Sequence, residues 1–183
     1  MNFDELAGER RSVRSYLSDS VPEDDLLGCL EAARMAPSAC NSQPWHFVVA
    51  TDEPRRGRLA ELTRLPGSGM NRFVSQAPIL VALLAEKPNI TSRIGGFLKN
   101  KPFYLIDIGI AAEHFCLAAA ERGLGTCMLG WFNEKKVRRE LAVPQGSRVA
   151  LLITLGYPAD EPRPKQRKPL SRIADRELYG GSW

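Results

Sequence analysis

FYLIDIGIAAEHFCLAAAER, residues Phe103–Arg122, is a helix-length run that is apolar on nearly every face. Leu105, Ile106, Ile108, Ile110, Ala111, Phe115, Leu117, Ala118 and Ala119 leave no polar side, whereas a surface helix carries one apolar stripe. Such a helix has to be buried all round. Two arrangements achieve that: a central core helix, or a helix packed in part against a second subunit of an obligate dimer. Glu113 and His114 interrupt the run and need partners or solvent.

The bounds of the chain are compatible with either arrangement. Its 183 residues fit one domain, 1–183, with 157–183 as an extended tail. A chain of this size buries roughly 70% of its unfolded surface and needs no disulfide or metal staple. Composition is that of a globular protein, with 44% hydrophobic and 25% charged residues. The net charge of +4 favours anions in general but is too mild to argue for nucleic acid. Cys29, Cys40, Cys116 and Cys127 form no C-x-x-C pair and read as reduced, mostly buried thiols. Residues 1–15 contain no apolar signal core, and no apolar run of ~20 residues reads as a membrane span. The expectation is a soluble, cytoplasmic protein.

Outward from the central helix, helices and strands alternate. Phe3, Leu6 and Ala7 mark a short first helix capped by Asn2, with Glu5 three residues on. A second helix starts at the box Ser20–Glu23, buries Leu26, Leu27, Leu30 and Ala33, and stops before Pro37. Residues 45–51 and 78–84 read as strands, and 53–65 as a helix between them. Residues 87–101, with Asn89, Gly95, Gly96 and Asn100, read as a flexible loop or short helical excursion. Strands near 125–129 and 148–156 follow, flanking a capped helix from Asn133 to Leu141. Pro158, Pro162, Pro164 and Pro169 make the tail an extended strap.

Four segments carry chemistry. Arg10-Arg11-Ser12-Val13-Arg14 crowds three guanidiniums and a hydroxyl, which suits an anion and equally suits a solvated basic turn. Lys165-Gln166-Arg167-Lys168 is its counterpart in the tail, or a basic linker. The loop Ala36–Trp45, stiffened by Pro37 and Pro44, offers the amides of Asn41 and Gln43 to a planar heterocycle. Gly123–Trp131 is glycine-rich, so its backbone amides can approach a ligand, although a helix cap and buried strand explain it too.

Together, in this order, the four segments resemble the FMN-dependent nitroreductase family, in a short, single-domain form. R-R-S-V-R-S-Y, A-P-S-A-C-N-S-Q-P-W-H-F, G-L-G-T-C-M-L-G and P-K-Q-R-K-P-L each match a family block, and the second is the most specific. The resemblance implies an α+β sandwich with a central, mostly antiparallel sheet flanked by helices. It also implies an intertwined homodimer with FMN at the subunit interface. Arg10, Arg11 and Ser12 are then expected at the FMN phosphate and ribityl chain, with Lys165 and Arg167 closing the phosphate from the other side. Arg14 is expected at the pyrimidine edge and Asn71 at the ring edge. Leu129 and Gly130 are expected near N5 through backbone amides. Pro37, Ser38, Ala39 and Asn41 approach from the partner subunit. Many larger relatives have an acidic residue where Leu129 stands, but it acts through its backbone. They also have an insertion, missing here, that shapes the acceptor pocket, and that task falls to 87–101.

The implied function is transfer of reducing equivalents from NAD(P)H to a small organic acceptor, a nitroaromatic or quinone, by a ping-pong mechanism. The flavin carries the chemistry, and no protein residue is expected to act as acid, base or metal ligand. His46 reads as structural, while Cys40 and Cys127 read as small hydrophobes. Alternatives on the same fold are an enone reductase, a dehalogenase or a flavin-consuming enzyme. A nucleic-acid- or anion-binding module would instead interleave aromatic residues on a basic face, which this sequence does not do.

Overall fold

The computed structural model describes residues 1–182; Trp183, the last residue of the expected tail, lies outside the described residues. Among the described residues six α-helices and four strands follow one another as α1 Phe3–Glu9, α2 Glu23–Arg34, β1 Trp45–Ala50, α3 Glu53–Glu61, β2 Ile79–Ala85, α4 Ile90–Lys99, α5 Phe103–Glu121, β3 Gly125–Leu129, α6 Glu134–Glu140 and β4 Arg148–Gly156. The strands form one sheet in the order β1-β2-β4-β3, antiparallel at every junction.

Both faces of the sheet are covered, and the two-residue period of a strand explains how. On β2, Ile79, Val81, Leu83 and Ala85 meet Cys29 and Ala33 of α2 and Ile108, Ala112, Phe115 and Ala119 of α5. Leu80, Ala82 and Leu84 point the other way, to Leu59 and Ala60 of α3 and Val137 of α6. Every residue of β2 is therefore buried, as a strand covered on both sides requires. Phe115, wholly buried, stacks on Phe47 of β1 at 6.2 Å between ring centres.

The helix ends show local rules at work. Asn2 and Glu5 form the expected capping box on α1, and Asp52 and Asn133 cap α3 and α6. Beyond α5, Gly123 takes the left-handed φ of 72° and Leu124 N–H reaches back to Ala119 O, turning the chain sharply into β3.

Several expectations need correcting. The Ser20 box does not form, because Pro22 occupies the N-cap of α2 and makes no side-chain cap bond. Leu27, expected inside, is 52% exposed, since α2 turns Cys29 and Ala33 to the core instead. Of the two readings of 87–101 the helical one holds, as residues 90–99 form a ten-residue helix. Helix α5 is long and apolar enough, by length and composition, to cross a membrane, contrary to the expectation that no such run exists. It nevertheless packs against α2 and the sheet. Nor does one chain bury it all round, for Leu105 and Ile106 near its start remain 48% and 56% exposed.

The N-terminal segment after α1 fastens onto β3. Val13 N–H donates to Thr126 O at 2.8 Å, and Ser12 bridges Thr126 in parallel. The approach is possible only because residue 125 is glycine: a Cβ there would lie 2.6 Å from Val13 Cγ2. Tyr16 inserts beneath, its hydroxyl donating to Val13 O at 2.9 Å and lying 2.6 Å from Thr154 Oγ1. Burial pushes this phenol well above its ordinary value. Tyr16→Phe leaves Val13 O without that donor and weakens the satisfaction of the wholly buried Thr154 hydroxyl. We expect a loss of about 2 kcal/mol in urea unfolding; unchanged stability would show that the pair contributes nothing net.

Candidate functional site

The two ends of the chain meet beside β3. Leu17 N–H donates to Tyr157 O and Ala159 N–H to Ser15 O, both at 2.9 Å, and Tyr16 bridges Pro158. The tail then crosses to α1, where Lys165 Nζ donates to Ala7 O at 2.5 Å and to Arg10 O at 2.6 Å. The first carbonyl lies in the last turn of α1 and the second at its C-cap, where unsatisfied oxygens and the negative dipole end favour a cation. A cleft of about 780 Å³ results. Arg10, Arg11, Ser12 and Arg14 line one side, and Arg163, Lys165 and Arg167 the other.

Six cations therefore face a single cleft, and only part of their charge is answered. Arg10 Nε lies 3.0 Å from Glu113 Oε1 without hydrogen-bond geometry. Arg11 donates to Asp160 Oδ1 at 2.9 Å and to Asp160 O at 2.5 Å. The Arg11 bond holds the Asp160 carboxyl below the usual carboxylate range. Lys165 is pushed down, first by desolvation and then by Arg10 and Arg167. Arg167 donates to the carbonyl of Gln166 at 2.9 Å. Among the described residues no carboxylate pairs with Arg14, Arg163 or Arg167. Such a donor set, spread over two segments and short of counter-charge, fits a dianionic group such as a phosphate monoester.

A second group of expected residues sits at the other end of β3. Leu129 ends the strand buried, and Gly130 is exposed just beyond it, beside a cavity of about 270 Å³ that Leu105 and Phe132 also line. Asn71, left-handed at φ 61°, donates its amide to Thr63 O at 3.0 Å and lies 3.5 Å from Trp131 O. Thr126, beside the cleft, and Gly130 are four residues apart on an extended strand, about 13 Å.

Pro37, Ser38, Ala39 and Asn41 are not brought to the cleft. They precede β1, which lies at the opposite edge of the sheet from β3, three strand spacings or about 14 Å across. The loop turns through a 3-10 turn at Ala39–Asn41, with Cys40, Asn41 and Gln43 at φ 52°, 49° and 45°. Cys40, expected as a small buried hydrophobe, is exposed, whereas Cys127 is buried as expected. Burial raises the Cys127 thiol against the opposing pull of Arg14. His46 is exposed and His114 Nδ1 lies 3.2 Å from Ala32 O.

Sequence reasoning missed Arg163 and the counter-ions Glu113 and Asp160 as members of the cleft. It also passed over Asp107, which is buried within α5. The available signal was an acid inside an apolar run, a residue type that is almost never buried without a partner.

The nitroreductase family model matches residues 7–67 and 67–157. An NADH dehydrogenase of Thermus thermophilus is 30% identical over 90% of this chain and 91% of its own length. An iodotyrosine deiodinase of Thermotoga neapolitana is 28% identical over 88% of this chain and 90% of its own. The solved FMN-dependent nitroreductase of Clostridium difficile superimposes with a TM-score of 0.73 at 28% identity, covering 88% of this chain and 90% of that one.

The Arg11–Asp160 pair has a pH signature. Because the folded carboxyl is depressed, its contribution is present above the unfolded value of ~3.9 and is lost as pH falls through the lower, folded value. A carbon-detected NMR titration should place the Asp160 midpoint below ~3.9, and Arg11→Gln should return it towards that value. A wild-type midpoint at or above ~3.9 would mean that the pair does not form in solution.

Proposed function

Since the chain belongs to the nitroreductase family, we propose that it is an NAD(P)H-dependent oxidoreductase that holds FMN non-covalently and reduces a small organic acceptor, a nitroaromatic or quinone. The observation that carries this reading is the cleft in which Arg10, Arg11, Ser12 and Arg14 meet Lys165 and Arg167 from the far end of the chain. The Lys165 bonds to the end of α1 and the Arg11–Asp160 pair bring the two basic clusters together but leave Arg14, Arg163 and Arg167 without a carboxylate among the described residues. Shared recognition of one dianion would answer that charge.

Arg10, Arg11, Ser12, Lys165 and Arg167 would hold the phosphate and ribityl end. Arg14, exposed and next to the buried Cys127, would set its guanidinium at the pyrimidine edge. A fixed cation there stabilises negative charge as it develops, which favours acceptance of reducing equivalents. The backbone amides of Leu129 and Gly130 would meet the N5 region and Asn71 the ring edge, about 13 Å along β3 from the phosphate end. FMN, when bound, supplies the redox chemistry; the one histidine in the matched motifs, His46, is exposed on β1 at the opposite edge of the sheet from β3. Donor and acceptor would occupy the same open face in turn, giving ping-pong kinetics.

A homodimer belongs to the same reading. Pro37, Ser38, Ala39 and Asn41 lie a sheet's width from the cleft of their own chain, so they would serve the site of a second copy. The exposed Leu105 and Ile106 on α5 supply apolar surface for such an interface. Residues 1–183 would form one FMN-binding domain with 157–183 as its tail, in the reducing cytoplasm that the four free cysteines suit. A second reading keeps fold and cofactor but changes the reaction: the Thermotoga relative is a deiodinase, so reductive dehalogenation belongs in the same assay panel.

The test is a flavin fluorescence-quenching titration. Wild type should bind FMN at about one per chain and riboflavin poorly. Charge-assisted hydrogen bonds contribute roughly 1.5–3 kcal/mol each, so Arg167→Ala should weaken FMN about 10- to 100-fold and leave riboflavin little changed. Equal FMN affinity in the two proteins would remove the tail from the site. A wild type that stays colourless and takes up no added FMN would end the proposal.

A further inference from the structure

We propose that Asp107 is a positioning residue: it holds the Ala39–Gln43 loop in a left-handed conformation and so sets the surface this loop offers to the flavin of a second copy. The inference rests on the reading above, in which Pro37–Asn41 meet the cofactor across a subunit interface.

Asp107 is 3% exposed at the start of the second turn of α5. Its Oδ1 accepts the Ala39 N–H at 3.0 Å, while Oδ2 is buried without any hydrogen-bond partner. No cation pairs with it among the described residues. A buried carboxylate satisfied by one backbone amide is an expensive way to pack a helix, and an apolar residue of similar size would do that better. Its use lies in what the amide belongs to.

Three residues in four, Cys40, Asn41 and Gln43, have positive φ, and none is glycine. Conformations of this kind persist only where the surroundings over-determine them. From the α4 side, Asn89 N–H donates to Ser42 Oγ at 2.8 Å and Asn89 Nδ2 to Cys40 O at 3.0 Å. Within the loop, Gln43 N–H donates to Ser38 Oγ at 2.9 Å and Gln43 Nε2 to Asn41 Oδ1 at 3.0 Å. These bonds are exposed and water competes for them. The Asp107 bond is the sheltered one, and it fixes the first residue of the turn to the helix at the centre of the fold.

A purely structural role and a positioning role predict opposite stabilities. If Asp107 holds strain in the loop, removing its carboxylate lets the loop relax into solvent, and the rest of the fold loses nothing. The experiment compares full-length wild type, Asp107→Leu and Asp107→Asn by FMN titration and by thermal melting without FMN. Asp107→Leu should weaken FMN about 10-fold, with its flavin-free midpoint no more than ~3 °C below wild type. Asp107→Asn keeps an acceptor oxygen and should restore affinity to within about threefold. Wild-type affinity in Asp107→Leu overturns the inference, and so does a large fall in the flavin-free midpoint alongside the loss of affinity. Failure of wild type itself to bind FMN would overturn the site reading instead. Should Asp107→Leu not fold, Asn89→Ala, at an exposed position, reads the same loop: a loss of several-fold in FMN affinity supports the inference and unchanged affinity overturns it.

Discussion

The Val13 N–H···O Thr126 bond, made where Gly125 leaves room for it, is the contact on which the arrangement of the cleft depends. It attaches residues 12–17 to the start of an edge strand. The tail then has something to pair with, through Leu17 to Tyr157 and Ser15 to Ala159. Without it the arginines would hang from α1 and the lysine–arginine cluster from the end of β4, with no geometry between them. The sheet supplies the rigid reference: β4 lies beside β3 and delivers the tail next to the segment it must meet.

Charge shapes the same region. Glu113 and Asp160 neutralise part of the crowd of cations, one from α5 and one from the tail itself. Their partial neutralisation eases the repulsion among these cations and leaves positive charge in surplus. Lys165 shows the cost of the arrangement, since desolvation and its cationic neighbours both push it towards the neutral form. Its two carbonyl partners at the end of α1 offset that cost.

The sequence was informative where local rules act alone. The Asn2–Glu5 box, the unbroken apolar run of β2 and the helix α5 all read directly from residue pattern, because capping and burial are decided within a few positions. Ser20 misled because the proline two residues on takes the cap position. Asn89, Gly95 and Gly96 left a flexible loop and a short helical excursion both open; the Asn89 side chain accepts the Ser92 N–H and helps open the helix. The basic clusters were visible, but their counter-ions were not: Arg11 and Asp160 are 149 positions apart, and only the strand order brings them together. Asp107 escaped for a related reason, as its partner is a backbone amide, which leaves no trace in residue identity.

The tail past Tyr157 contributes little to either face of the sheet, whose core is built from β1–β4 and the helices that cover them. It is held by a few backbone pairs, one lysine and one ion pair. Such a segment can open while the sheet stays intact, because local opening costs only the contacts that are broken. The durability of the fold and the durability of the cleft are therefore separate quantities. A melting curve that follows the sheet reports the first and is nearly blind to the second, so a variant can keep its full thermal midpoint while spending much of its time with the cleft undone.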